Sequence, residues 1–151
     1  VSDGGMSIDE IFELFPNLKE RRNSQGTKLS GGEQQMLAIA RMLRTGVKLL
    51  LLDEPTEGLA PVIVERIGEV LATLKARGMT ILLVEQNASL ALDIASYGYI
   101  VENGRVVLDG PSQRIAGNDD VKEFYLGFSE AGAKKNYREV KHYKRRKRWL
   151  S

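Results

Sequence analysis

Lys48-Leu49-Leu50-Leu51-Leu52-Asp53-Glu54-Pro55-Thr56 is the stretch that decides the fold. Four leucines run without a polar break, then stop at two acids and a proline. A short apolar run closed this way predicts a strand buried on both faces of a parallel sheet. A buried helix has a similar pattern but rarely stops so abruptly at a proline. Asp53 and Glu54 stand at the C-terminal end of that strand, the edge where ligands bind in open α/β sheets. Adjacent residues of a strand point to opposite sides, so one acid can hold a hydrated metal ion while the other faces an attacking water. Taken alone, the pair fits a plain polar strand end with a helix N-cap better; its surroundings in the chain reverse that balance.

Upstream, residues 7 to 22 read as a helix with Ile8, Ile11, Phe12 and Phe15 on one face. Ser7 and Glu10 have the spacing of a capping box. Asn23 to Lys28 reads as a polar loop. Then comes Leu29-Ser30-Gly31-Gly32-Glu33-Gln34-Gln35. Ser30 with Glu33 is a second capping-box pattern, opening a helix to about Arg44 with an apolar face of Met36, Leu37, Ile39, Ala40 and Leu43. Two glycines at a helix start leave backbone N–H groups bare, and bare amides at the positive end of a helix dipole attract anions. A flexible loop ending in a capped helix is the plainer alternative.

Ser30 lies 23 residues before Asp53, with one amphipathic helix between them. In this order and spacing the chain resembles the ATP-binding cassette (ABC) family. Leu29 to Gln35 is similar to its signature motif, and Leu49 to Glu54 to its Walker B strand with the catalytic glutamate. Thr56-Glu57-Gly58-Leu59-Ala60-Pro61 resembles its D-loop, with Ala60 where the usual pattern has Asp. Met79 to Val84 reads as a second parallel strand, followed by Glu85-Gln86-Asn87. The family has a switch histidine where this chain has Gln86, whose amide can donate to phosphate but carries no charge. The wording of Thr56–Pro61, Leu83–Asn87 and Tyr99–Gly104 is similar to the ATPase subunit of branched-chain amino acid importers; amide and urea importers look much alike.

Between and beyond the motifs the reading is conventional. Pro61 opens a helix whose stripe of Ile63, Ile67, Val70, Leu71 and Leu74 is core, closed by Gly78. Ala88 to Ser96 reads as a short helix. Asn103-Gly104 between two apolar runs predicts a hairpin. A helix from Gly110-Pro111-Ser112 follows, then one capped by Asp119-Asp120, with Val121, Phe124, Tyr125 and Leu126 packing inward and Gly127 ending it.

The resemblance implies an α/β fold, the C-terminal portion of a P-loop NTPase-like ABC nucleotide-binding domain: a mainly parallel sheet, flanking helices and a terminal hairpin. It implies residues 1–45 as helical subdomain, 46–127 as Walker B core with closing elements, and 128–151 as a separate basic tail. No Gly-x-x-x-x-Gly-Lys-Ser/Thr occurs in the sequence. The chain is therefore expected to begin inside the helical subdomain, to expose leucine-rich strand faces, and to be inactive alone for want of a Walker A loop. In the intact protein the resemblance implies ATP and Mg²⁺ as cofactors, sandwiched between this subunit and a second ABC ATPase subunit, identical or not. Ser30, Gly31, Gly32, Glu33 and Gln34 are the expected nucleotide-binding residues, Asp53 the metal residue, Glu54 the general base and Gln86 the γ-phosphate sensor. Membrane permease subunits are the expected partners, at the cytoplasmic face of the cell membrane.

Composition bounds the alternatives. The apolar fraction is 42% and the charged fraction 28%, ordinary for a globular protein. No apolar run approaches the ~20 residues that span a bilayer. The absence of cysteine excludes disulfides and thiolate metal sites. The net charge of +2 conceals a division: residues 134–148 carry nine Lys/Arg and one acid, so the rest of the chain is acidic. That tail, with Tyr137, His142, Tyr143 and Trp149, suits a solvated segment, a contact with anionic lipid, or RNA or a protein partner. No specific nucleic acid is expected. Two rivals to the importer reading stand beside it: a non-transport ABC ATPase acting on ribosomes or DNA, and a catalytically incompetent piece that only binds a partner.

Overall fold

The computed structural model describes residues 4–126. Gly127 and the basic tail lie outside the described residues, as does the lipid contact expected of that tail. The chain divides into two compact units on either side of the Gln86–Asn87 bond.

The first unit begins with α1 (Ile8–Leu14) and α2 (Pro16–Glu20). The single helix expected over residues 7–22 is thus two. Pro16 has no N–H to continue α1 and sits at the start of α2, while Phe15 before it takes an extended φ of −127°. Ser7 and Glu10 form the expected capping box. Ile11, Leu14 and Phe15 are buried, but Ile8, at the first position of α1, is 53% exposed.

Helix α3 (Gly31–Leu43) is capped by Ser30 and buries Met36, Ile39, Ala40 and Leu43. Asn17 Nδ2 donates to Met36 Sδ at 3.1 Å, tying α2 to α3. Strand β1 (Leu49–Asp53) pairs in parallel with β2 (Thr80–Val84), and α4 (Pro61–Ala76) is the crossover between them. The buried stripe of α4 is Ile67, Val70, Leu71 and Leu74, and the guanidinium of Arg66 donates to Leu14 O at 3.0 Å. That bond satisfies a carbonyl of the last turn of α1, which has no partner inside its own helix.

Strand β1 is buried on one face only, not on both. Leu50 and Leu52 are buried, while Leu49 and Leu51 are 52% and 65% exposed. Leu82, the register partner of Leu51, and Val84, the partner of Asp53, lie on the same open face. A two-stranded sheet with helices on one side leaves the alternate side chains in solvent. The exposure of leucine-rich strand faces is the outcome the sequence led one to expect.

The second unit holds α5 (Ala88–Ile94), the antiparallel pair β3 (Tyr97–Glu102) and β4 (Arg105–Pro111), α6 (Ser112–Ala116) and α7 (Asp119–Phe124). The turn between β3 and β4 is Asn103-Gly104, with φ of 50° and 72°, the pair of positive values a tight hairpin requires. Ile115 is buried against Gly98, where an added Cβ would lie 3.1 Å from its Cδ1. Helix α7 is capped by Asn118, whose side chain accepts from Val121 N; Asp119 and Asp120 fall in its first turn and are not the cap. Val121 is buried as expected, and Tyr125 and Leu126 are half-buried. The sheets are therefore mixed, one parallel and one antiparallel pair, with flanking helices. No described helix is long and apolar enough to cross a membrane.

Candidate functional site

The ends of β1 and β2 bring two of the predicted residues, Glu54 and Gln86, together. The last register pair is Asp53 with Val84, and Glu54 N then donates to Val84 O at 2.9 Å. At Glu54 the chain turns sharply, with φ of +46°, a region few residues other than glycine adopt. Glu57 N donates back to Glu54 O at 3.2 Å and closes the turn. Asp53 stays on the exposed side of the strand with Leu49 and Leu51. Asp53 is thus the last residue of the strand, and Glu54 the first of the turn that leaves it.

Gln86, just past β2, donates its side-chain amide to Glu54 Oε1 at 2.8 Å. The carboxyl of Glu57 meets the same Glu54 carboxylate. This hydrogen bond, with the negative charges of Glu54 and Glu85 close by, raises the Glu57 carboxyl above its ordinary value. Glu57 is thus a carboxyl that holds its proton to higher pH than usual. One step further, Glu85 Oε1 accepts both the Thr56 hydroxyl at 2.6 Å and Thr56 N at 3.2 Å, with Thr56 only 7% exposed. Thr56, Glu57 and Glu85 were visible in the sequence as neighbours of the chosen residues. Their pairing across 29 residues, Thr56 to Glu85, had no local signal.

At the start of α3, Glu33 Oε2 accepts from Ser30 N at 2.8 Å, and Ser30 Oγ accepts from Glu33 N at 3.3 Å. The Ser30 N–H, its hydroxyl and Arg21, 3.3 Å away, hold the Glu33 carboxyl below its ordinary value. Gln34 Nε2 donates to Leu29 O at 2.9 Å and pins the loop before the helix. The two glycines differ. Gly31 is exposed, and a Cβ there would meet only Leu59, at 3.8 Å. Gly32 is buried, and a Cβ there would lie 2.7 Å from Ile63 Cγ2. Gly32 thus lets α3 approach α4 closely, a packing role that the pairing of glycines did not announce. Ser30 to Gln34 make their contacts with Arg21, Leu29, Leu59 and Ile63; Glu54 and Gln86 make theirs with each other, Glu57 and Val84.

The donor set bears on what could be held here. Among the described residues no three His, Cys, Asp or Glu side chains gather as a metal cluster. Asp53, exposed at the end of β1, has a carboxylate of the kind that can contribute one oxygen to a hydrated cation. The Ser30 hydroxyl is engaged with Glu33 and stands beside the exposed, side-chain-free Gly31 at the start of α3.

The family described as ABC transporter matches residues 6–57, the span from α1 through the turn after β1. The chain is 48% identical over 125 residues to the high-affinity branched-chain amino acid transport ATP-binding protein BraG of Pseudomonas aeruginosa, covering 83% of this chain and 54% of that protein. It is 36% identical over 119 residues to the lipopolysaccharide export system ATP-binding protein LptB of Haemophilus influenzae, covering 79% of this chain and 49% of that one. Among solved structures, a nucleotide-free ATP-binding cassette from an ABC transporter superposes with a TM-score of 0.65 at 28% identity, covering 79% of this chain and 48% of that one. The chain spans about half the length of the curated relatives it matches. Its fold, motif order and relatives agree, and the chain belongs to the ABC transporter ATPase family.

Proposed function

We propose that the protein carrying this chain is the ATP-hydrolysing subunit of an ABC importer, taking up branched-chain amino acids through membrane permease subunits at the cytoplasmic face of the membrane. The observation that carries this reading is the Glu54–Gln86 pair: a carboxylate and an amide, delivered by two adjacent parallel strands, held 2.8 Å apart at the C-terminal edge of the sheet. The likeness to BraG supports the solute class; the likeness to LptB favours lipopolysaccharide export as the second reading.

In this reading Glu54 is the general base that polarises the attacking water. Its left-handed backbone aims it off the strand, and strain of that kind concentrates at functional sites. Gln86 donates to the γ-phosphate and, in its absence, to Glu54. Asp53 would be the residue that holds Mg²⁺, and the ion would neutralise phosphate charge when bound. Ser30, with Gly31, Gly32, Glu33 and Gln34, presents the start of α3 to the nucleotide held by a second ATPase subunit, and Glu33 keeps Ser30 in place through the capping box.

The test is Glu54→Gln in the protein carrying this chain. Turnover of ATP is expected to be abolished while nucleotide binding is spared. Turnover equal to that of the parent protein would refute the role given to Glu54. Uptake of labelled leucine, set against transfer of lipopolysaccharide, separates the two readings of the solute.

A further inference from the structure

The last backbone link between β1 and β2 is Glu54 N to Val84 O, at 2.9 Å. Beyond it the two strands run into separate loops, and the side chains of Glu54 and Gln86 project from those loops. Only side chains can then fix the distance between them. The Thr56–Glu85 pair is placed to do so. Thr56 is two residues past Glu54, and Glu85 immediately precedes Gln86. Both Thr56 bonds converge on one carboxylate oxygen, from the hydroxyl at 2.6 Å and the backbone N–H at 3.2 Å. Hydrogen bonds to an ionised acceptor are about twice as strong as neutral ones. Thr56 is buried and β-branched, so its hydroxyl has little freedom to turn away.

We propose that Thr56 and Glu85 are positioning residues, a clamp between the loops after β1 and β2 that holds Gln86 in hydrogen-bond reach of Glu54. Neither residue touches the reacting atoms; both act through the two that do. The proposal rests on the reading of Glu54 and Gln86 as the hydrolytic pair, and its test keeps the two apart.

Thr56→Val preserves shape and the backbone bond but removes the hydroxyl. Glu85→Ala removes the acceptor for both bonds. Thr56→Ser keeps the hydroxyl, and Glu85→Gln keeps an acceptor oxygen. In the protein carrying this chain, the first two variants are expected to lower kcat for ATP by about 10- to 100-fold, the range that a displacement of ~1 Å produces, with KM nearly unchanged. The two conservative variants are expected to restore kcat. A second readout needs no turnover: in protein isotope-labelled at glutamine, the Gln86 side-chain amide protons should exchange faster and move toward free-amide positions in Thr56→Val and Glu85→Ala only. An unaltered Gln86 amide, or an unaltered kcat, in both disruptive variants overturns the clamp. If Thr56→Val fails to fold, the Glu85→Ala and Glu85→Gln pair decides. If Glu54→Gln keeps full turnover, the hydrolytic reading fails, and the amide signal still decides whether the clamp positions Gln86.

Discussion

The amide of Gln86 and the carboxyl of Glu57 converge on Glu54, the first at 2.8 Å and the second through a side-chain hydrogen bond. Two acids in contact cannot both be charged without repulsion, and Glu57 is the one held above its ordinary value of 4.5. Its favourable contribution is therefore full below 4.5 and is lost as pH rises through its raised folded value. Glu57→Gln should keep the hydrogen bond and drop the repulsion. Its urea midpoint should match the parent protein's in acid and exceed it at neutral pH. A midpoint below the parent's at neutral pH would contradict this account.

Glu33 and Glu10 have the opposite sign. Backbone N–H groups of Ser30 and Ser7 hold their carboxyls below the ordinary value of 4.5. The stability they supply is present above 4.5 and is lost as pH falls through their lowered folded values. Glu33→Gln should therefore lower the melting temperature at neutral pH, and the deficit should shrink as the solution is acidified. A deficit independent of pH would show that the carboxylate charge plays no part in the cap.

Ala60 occupies the N-cap of α4, with extended backbone and no side chain to receive an amide of the first turn; Ile63 N donates to Ala60 O at 2.9 Å, and Val62 N is the amide a longer cap side chain could take. The family's usual residue there is Asp. Ala60→Asp should add about 1 kcal/mol through a cap hydrogen bond. In a chain of this size that corresponds to a rise of about 2–4 °C in Tm, readable by calorimetry. No rise would mean that the Val62 amide gains nothing from a side-chain acceptor, the Ile63 amide being held by Ala60 O already.

What was legible in the sequence was local. Both capping boxes were readable because serine and glutamate three residues apart answer each other within one helical turn. The Asn103-Gly104 hairpin was readable because only such residues accept two successive positive φ values. Alternation was the expectation for Asp53 and Glu54, but β1 ends at Asp53 and Glu54 takes a left-handed turn that the sequence did not signal. The rest depended on what packs where. Four leucines look alike in sequence, yet Leu50 and Leu52 are buried while Leu49 and Leu51 face outward, because helices cover one side only. Asn118 caps α7 although two aspartates follow it, since the cap is the last residue before the turn tightens and not the most acidic one. Glu85 reads as an ordinary strand-end acid until Thr56, 29 positions away, is seen beneath it.

Gly31 and Gly32 look interchangeable in sequence but should respond oppositely to alanine. Gly31→Ala meets only Leu59 at 3.8 Å and should be tolerated. Gly32→Ala drives a methyl to 2.7 Å from Ile63 Cγ2. It should destabilise by about 1–3 kcal/mol, the usual range for overpacking, despite the better helix propensity of alanine. Adding Ile63→Ala removes the opposing atoms and should return part of the loss. The double-mutant cycle in urea measures it, and simple additivity would place the cost of Gly32→Ala somewhere other than Ile63.

The open face of the β1–β2 pair is an association hazard. Leu49, Leu51, Leu82 and Val84 form it, all more than half exposed, on a two-stranded sheet. Exposed apolar strand surface of this kind recruits other chains, whereas a charge placed on it repels them. Leu51→Lys puts an ammonium at the centre of the face, at a position 65% exposed, where the transfer of leucine out of water contributes little. The change should leave the unfolding midpoint of this chain within about 0.5 kcal/mol, as for other surface substitutions. It should also raise the concentration at which light scattering first reports aggregates. Leu50→Lys, one residue back, would place the same charge among buried side chains and should prevent folding. If Leu51→Lys proved as damaging as Leu50→Lys, the face would have to be covered in solution, and the chain would be associating through it.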